Sequence, residues 1–175
     1  EVSHLPIPAV MVDRAIEGLE CDKVMFDHEM GGYMATRYLI EQGHRRIACL
    51  VNARRSNTGR KRLAGYERAL REVGLPIDAR LEFESEYYIA SAYEASEAVL
   101  ATDATAVFAS SDNIALGLLK RLHEMGKSIP GDISVVSYDN SAADVLFEPA
   151  LTAIEQDPGI LADHAFGCMS KRLAG

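Results

Sequence analysis

Short apolar runs alternate with longer segments of helical period along the chain. Ala9-Val10-Met11-Val12 and Val24-Met25-Phe26 read as strands, and a helix is expected from about Glu29 to Gln42. Met30, Met34, Ala35, Tyr38 and Leu39 recur on one face of that helix, and Gly43 supplies the left-handed turn that ends it. Ile47-Ala48-Cys49-Leu50-Val51 is a third apolar run. A polar loop and a helix with Leu63, Tyr66, Leu70 and Val73 on one face follow, closed by Gly74-Leu75-Pro76. Leu81 to Tyr87 alternates weakly, a helix runs from about Ile89 to Leu100, and Ala106-Val107-Phe108-Ala109 reads as a buried strand. Asp112 is placed to cap the next helix, which carries Leu116, Leu119, Leu122 and Met125 and stops at Gly126. Ile133 to Ser137 is a strand, residues 138–150 are an irregular connection, and Leu151 to Ile154 is a short strand. Asp157-Pro158 then opens a last helix with proline at its first position. Strands that are apolar on consecutive residues must be covered on both faces, and most of these are followed by a crossover helix. The pattern predicts a parallel, doubly wound α/β sheet.

Composition narrows the function. Apolar residues are 48% and charged residues 25% of the 175, as in an ordinary globular domain, and no tract has the bias of a linker. Lys and Arg number 18 against 26 Asp and Glu, a formal charge of −8, so these residues by themselves would repel a duplex. Cys21, Cys49 and Cys168 are odd in number and widely spaced, which suits unpaired thiols in a reducing cytoplasm. No apolar run approaches the roughly 20 residues that cross a bilayer, and the chain reads as soluble, with no membrane partner.

In an open parallel sheet the ligand crevice lies beyond the carboxyl ends of the strands. Those ends are polar here: Asp13, Asp27, the loop Asn52 to Thr58, Tyr87, Ser110-Ser111-Asp112, Tyr138-Asp139-Asn140 and Gln156. Such a set could hold a small hydroxylated molecule from several sides. The basic loop Arg54 to Arg62 opens a helix, where an anion or a vicinal diol would be favoured. Its alternative is a solvated basic surface with Thr58 as the N-cap. Asp139 could accept two hydrogen bonds from neighbouring hydroxyls or stabilise a turn, and Tyr87 could stack on a ring or belong to the core. Enzyme signatures are scarce: there is no G-x-G-x-x-G, no phosphate loop, no G-x-S-x-G and no metal-type Cys or His spacing. No catalytic residue, cofactor or metal is expected, and His28, His44, His123 and His164 read as surface or boundary residues.

Several blocks together resemble the LacI/GalR transcription regulators, whose bodies are similar to periplasmic sugar-binding proteins. They are Ile7 to Arg14, Gly43-His44-Arg45-Arg46-Ile47-Ala48, Arg62-Leu63-Ala64-Gly65-Tyr66, Ser111 to Gly117, Ile129 to Val136, Tyr138-Asp139-Asn140, and Pro149 to Gln156. Their order and spacing over about 150 residues make coincidence a poor explanation. The resemblance implies a periplasmic-binding-protein-like α/β fold of two doubly wound parallel-sheet lobes. Residues 1–43 and 150–175 would be an incomplete first lobe and residues 44–149 the second, with a helix-turn-helix head lying outside the chain. Carried over by position, Arg62 resembles the arginine that clamps the effector, Asp139 the carboxylate that accepts its hydroxyl or amine groups, and Tyr87 the aromatic floor. Thr58, Ser111 and Gln156 would finish a polar lining for a sugar or nucleoside-like effector. Met30 stands where some sugar responders carry aspartate, and Asn57-Thr58-Gly59 resembles the loop of the purine-responsive branch. The resemblance also implies a homodimer, for which Leu116, Leu146 and Phe147 form a patch, with ordinary core as their alternative role. Operator DNA would be bound only through the head. The rival readings are a periplasmic sugar-binding protein of a transport system and an α/β enzyme acting on a sugar or nucleotide.

Overall fold

The computed structural model describes residues 7–14, 16, 18–140 and 150–174. The chain divides into two compact units, Glu1–Asp27 with Gln156–Gly175, and His28–Glu155. In the first unit, β1 (Val10–Val12) and β2 (Asp22–Val24) pair in parallel. Helix α5 (Pro158–Ala174) belongs with them. Asp157 accepts from the Gly159 amide at 2.7 Å at its start, and Arg172 near its end holds Asp22 of β2 through two hydrogen bonds.

The second unit is a five-stranded parallel sheet with helices on both faces. In chain order its elements are α1 (His28–Glu41), β3 (Ile47–Val51), α2 (Asn57–Glu72), β4 (Glu82–Glu84), α3 (Ile89–Leu100), β5 (Ala106–Ala109), α4 (Asp112–Glu124), β6 (Ser134–Asp139) and β7 (Thr152–Glu155). The strands lie in the order β4-β3-β5-β6-β7. Because side chains alternate along a strand, the sheet divides its residues between two cores. Ile47, Cys49, Val51, Ala106, Phe108, Val136 and Tyr138 face α1 and α2, whereas Ala48, Leu50, Val107, Ala109 and Val135 face α3 and α4. β3 and β5 are buried along their whole length, which is what unbroken apolar runs require.

The predicted elements form, with two corrections. Helix α1 buries Ala35, Leu39 and Ile40 together with Gly31, Gly32 and Thr36, whereas Met30, Met34 and Tyr38 of the expected face are exposed. It turns this small-residue face to α2: a Cβ on Gly32 would strike the Arg62 carbonyl, and one on Gly65 would strike the backbone of Glu29 and Tyr33. That interlock lies within the second unit, His28–Glu155. Finally, Ser56 caps α2 and Ser111 caps α4, each accepting from the backbone amide three residues on, at 3.1 and 3.3 Å. Thr58 and Asp112 each lie just inside the helix they were expected to cap.

One edge of the sheet carries an electrostatic penalty. Burial, reinforced by the negative charges of Glu67 and Asp78, raises the Glu82 carboxyl above its ordinary value, and its Oε1 has no hydrogen-bond partner among the described residues. A group raised in the folded state binds more protons there than in the unfolded chain. Stability therefore falls as pH rises from the ordinary carboxylate range through the raised value, and the loss persists above it. The variant Glu82→Gln is expected to melt at a higher temperature than the parent at neutral pH, with the difference vanishing once the solution is acid enough to protonate Glu82 in both states. A thermal denaturation series across pH checks this.

Candidate functional site

Strand order reverses direction at β3 and β5. From β3 the chain moves outward through α2 to β4, then crosses back through α3 to β5 on the other side of β3. The carboxyl ends of β3 and β5 therefore flank a topological switch point, the place where open α/β sheets bind ligands. Asn52 and the loop to Ser56 leave β3 there, Ser110 and Ser111 leave β5, and β6, the next strand, ends on Asp139. Helix α2 is drawn tightly onto this edge, since a Cβ on Gly59 would collide with the Asn52 carbonyl. Its second turn consequently delivers Arg62 to the switch point.

Arg62 is the centre of the cluster. It is 4% exposed. Its Nη1 donates to the Ser110 carbonyl, and its Nη2 lies 3.3 Å from Asp139 Oδ1 and 3.3 Å from His28 Nδ1. The guanidinium is stacked over the Tyr138 ring at 3.7 Å, a face that favours a cation. Arginine offers five donors, and here the Nε–H is buried with no hydrogen-bond partner among the described residues. Asp139 is 29% exposed as a side chain, so it is the solvent-reachable member of the pair. Its backbone, and that of Asn140, adopt φ of 95° and 56°, which aims the end of β6 away from regular strand geometry. Arg62 and Asp139, paired from the sequence only by resemblance, are thus in contact.

A hydroxyl cluster stands one helical turn before Arg62. Thr58 Oγ1 is 2.8 Å from Ser56 Oγ and 3.4 Å from the Tyr87 hydroxyl, which donates to Ser56 Oγ at 3.1 Å. Tyr87 is also packed against the core on the α3 and α4 side, and its carbonyl accepts from Asn113 at 3.1 Å. The basic loop is largely occupied by its own chain. Glu84 accepts from the amides of Ala53 and Arg54 at 3.2 and 3.0 Å, and Arg55 Nη1 is paired with Glu86. Glu84 thus occupies loop amides ahead of the helix, and the helix start itself is capped by the Ser56 hydroxyl. Ser111 is buried and spends its hydroxyl on the α4 cap, while the buried Ser110 hydroxyl has no partner among the described residues.

Gln156 follows β7 directly and belongs to the first unit. Leu116 is half-buried against the α3 and α4 core, whereas Leu146 and Phe147 lie outside the described residues. His28, read as a surface or boundary position, is 1% exposed and touches Arg62, and Tyr138 is 1% exposed beneath it. The available signal for His28 was a polar residue opening a helix just ahead of Gly31-Gly32, a pair that marks close backbone approach. His44 is half-buried, and His123 and His164 are exposed, as expected.

A doubly wound parallel sheet whose switch point gathers a buried guanidinium, a carboxylate and several hydroxyls has the architecture in which open α/β sheets receive small molecules. The chain belongs to the periplasmic-binding-protein-like domain family, whose description matches residues 36–175. It is 38% identical over 172 residues to an HTH-type transcriptional repressor PurR of Vibrio atlanticus, covering 97% of this chain and 52% of the relative. A PurR repressor of Erwinia tasmaniensis is also 38% identical, over 97% of this chain and 51% of its own length. The chain thus spans about half the length of the curated relatives it matches. Among solved structures, a transcription regulator from Lactobacillus plantarum superposes with a TM-score of 0.88 at 30% identity, over 96% of this chain and 64% of that one. A LacI-family regulator from Enterococcus faecium with bound ribose gives 0.87 at 30% identity, over 95% and 62%. The resemblance read from the sequence blocks is borne out.

Proposed function

We propose that this chain is the effector-sensing part of a LacI/GalR-type transcription regulator, and that Arg62 and Asp139 hold its effector. The observation that carries the reading is the buried guanidinium with an unspent Nε–H beside a solvent-reachable carboxylate. Together they offer a donor and an acceptor in one place, which suits the hydroxyls of a sugar or nucleoside-like molecule. Thr58, Tyr87 and Ser111 stand at the same sheet edge, and Gln156 joins the list on the resemblance alone. Relatives named as repressors, and a structural neighbour with bound ribose, support sensing over catalysis or transport. Among the described residues no helix is long and apolar enough to cross a membrane.

The mechanism needs no covalent step. An effector with different affinity for two conformations shifts their balance by that difference, and a helix-turn-helix head elsewhere in the regulator reads the shift as a change in operator affinity. We infer a cytoplasmic homodimer, in which Leu116 belongs to the domain core before it belongs to any interface. Thermal-shift screening of the intact regulator against ribose, cellobiose, nucleosides and their phosphates tests the reading. A ligand that binds the native state raises the melting temperature in proportion to the logarithm of its concentration above Kd. A panel with no stabilising member counts against it.

A further inference from the structure

Arg62 divides its Nη2 between two acceptors, and one of them is a buried histidine. His28 Nδ1 and Asp139 Oδ1 each lie 3.3 Å from that nitrogen. A guanidinium has five donors, no acceptor and a charge it does not lose. A hydrogen bond between Arg62 and His28 can therefore run in one direction only. Nδ1 must present its lone pair, which makes His28 a neutral imidazole with its proton on Nε2. Two features favour that state: an imidazolium would stand against a second cation where water is excluded, and it would stand at the positive end of the 14-residue helix α1. The imidazole and Tyr138 ring centroids are 6.2 Å apart, and Arg62 covers the same Tyr138 ring, so the three side chains pack as one unit.

We propose that His28 is a positioning residue for Arg62 and the point at which effector affinity responds to pH. This rests on the reading of Arg62 as the effector clamp. As a neutral acceptor, His28 fixes Nη2 beside Asp139 and leaves Nε–H as the donor without a partner among the described residues. Protonation removes the lone pair and sets a second cation against the first, so the guanidinium must leave this pose. Among the described residues, the titratable and charged groups at this end of α1 include Arg62 from α2 and Tyr138 and Asp139 from β6. Glu155 of β7 is the register partner of Asp139, and Asp27 and Glu29 are chain neighbours, Glu29 being paired with Arg68 at 2.7 Å. The direct contact with Arg62 sets the sign: affinity falls with falling pH as His28 takes up a proton.

The test is a nitrogen NMR titration of the intact protein, with histidine and arginine labelled, from about pH 8 to about pH 4, which reaches below the ordinary imidazole range because the Arg62 charge and the start of α1 both hold His28 neutral. His28 Nδ1 should resonate as an unprotonated acceptor near neutrality, and the Arg62 Nε–H signal should move as His28 titrates. His28→Asn, whose side-chain oxygen can replace Nδ1 as acceptor, should keep the Arg62 signal in place at every pH, whereas His28→Ala should displace it throughout. In a second arm, ribose, cellobiose and guanosine are titrated by calorimetry, and whichever binds is followed across the same range. Its affinity should drop by roughly tenfold on protonation, the size of a one-unit coupling, and stay level in His28→Asn. A protonated Nδ1 near neutrality, an imidazole that stays neutral to about pH 4, or an Arg62 signal indifferent to His28 would overturn the proposal, as would equal pH dependence in His28→Asn. If none of the three probes binds, the effector reading loses support while the ligand-free arm still decides the role of His28.

Discussion

Replacing Arg62 with alanine is expected to abolish effector binding while the second unit remains folded. The side chain supplies the Nε–H that no described protein group uses, and it holds Asp139 at 3.3 Å in a strained backbone conformation. Its loss removes one charged donor to the ligand and releases the acceptor beside it. Hydrogen bonds to charged groups contribute about 1.5–3 kcal/mol each, so losing two weakens binding by at least about a hundredfold. The fold should survive because the carboxylate left behind is 29% exposed and water can reach it. A fully buried partner would instead cost about 3–5 kcal/mol. Calorimetric titration of the variant, with circular dichroism to confirm its secondary structure, reads both halves. Unchanged affinity would remove the site assignment.

The second large effect is on stability. Gly32→Ala should cost about 3 kcal/mol, at the upper end of what overpacking does, because the added methyl meets the Arg62 carbonyl and not a side chain that could swing aside. The same substitution at Gly65, against the backbone of Glu29 and Tyr33, should cost a similar amount. The two lie in one helix contact, so the double variant should lose less than the sum once α1 has been pushed off α2. Urea denaturation of the three variants measures this. A loss within about 0.5 kcal/mol of zero, the range of ordinary surface changes, would mean that α1 does not interlock with α2 as described.

These glycines also explain where the sequence could be read and where it could not. Ile47 to Val51 and Ala106 to Ala109 were legible because a strand covered on both faces must be apolar at every position. Helix α1 was legible as a helix, yet its buried face was not, since it packs through Gly31, Gly32, Ala35 and Thr36, which carry little hydrophobic signal, while Met30, Met34 and Tyr38 look like core and stay outside. Ser56 and Ser111 took the caps expected of Thr58 and Asp112 because helix starts vary by a residue or two and several neighbours could serve. At the site, Arg62 and Asp139 were visible through family blocks and their places at element ends. The Ser110 carbonyl, the Tyr138 face and His28 were not, because contacts between residues this far apart in the chain depend on how α1, α2 and the sheet edge meet.

Arg62 is proposed to meet the effector through its Nε–H, and the Arg62 signal in an arginine-labelled nitrogen spectrum reports on that atom directly. Adding a ligand found in the thermal-shift screen should move the Arg62 Nε–H resonance in step with binding, with saturation at the concentration that calorimetry gives. A ligand that binds with the same affinity but leaves that resonance where it was would contradict the account.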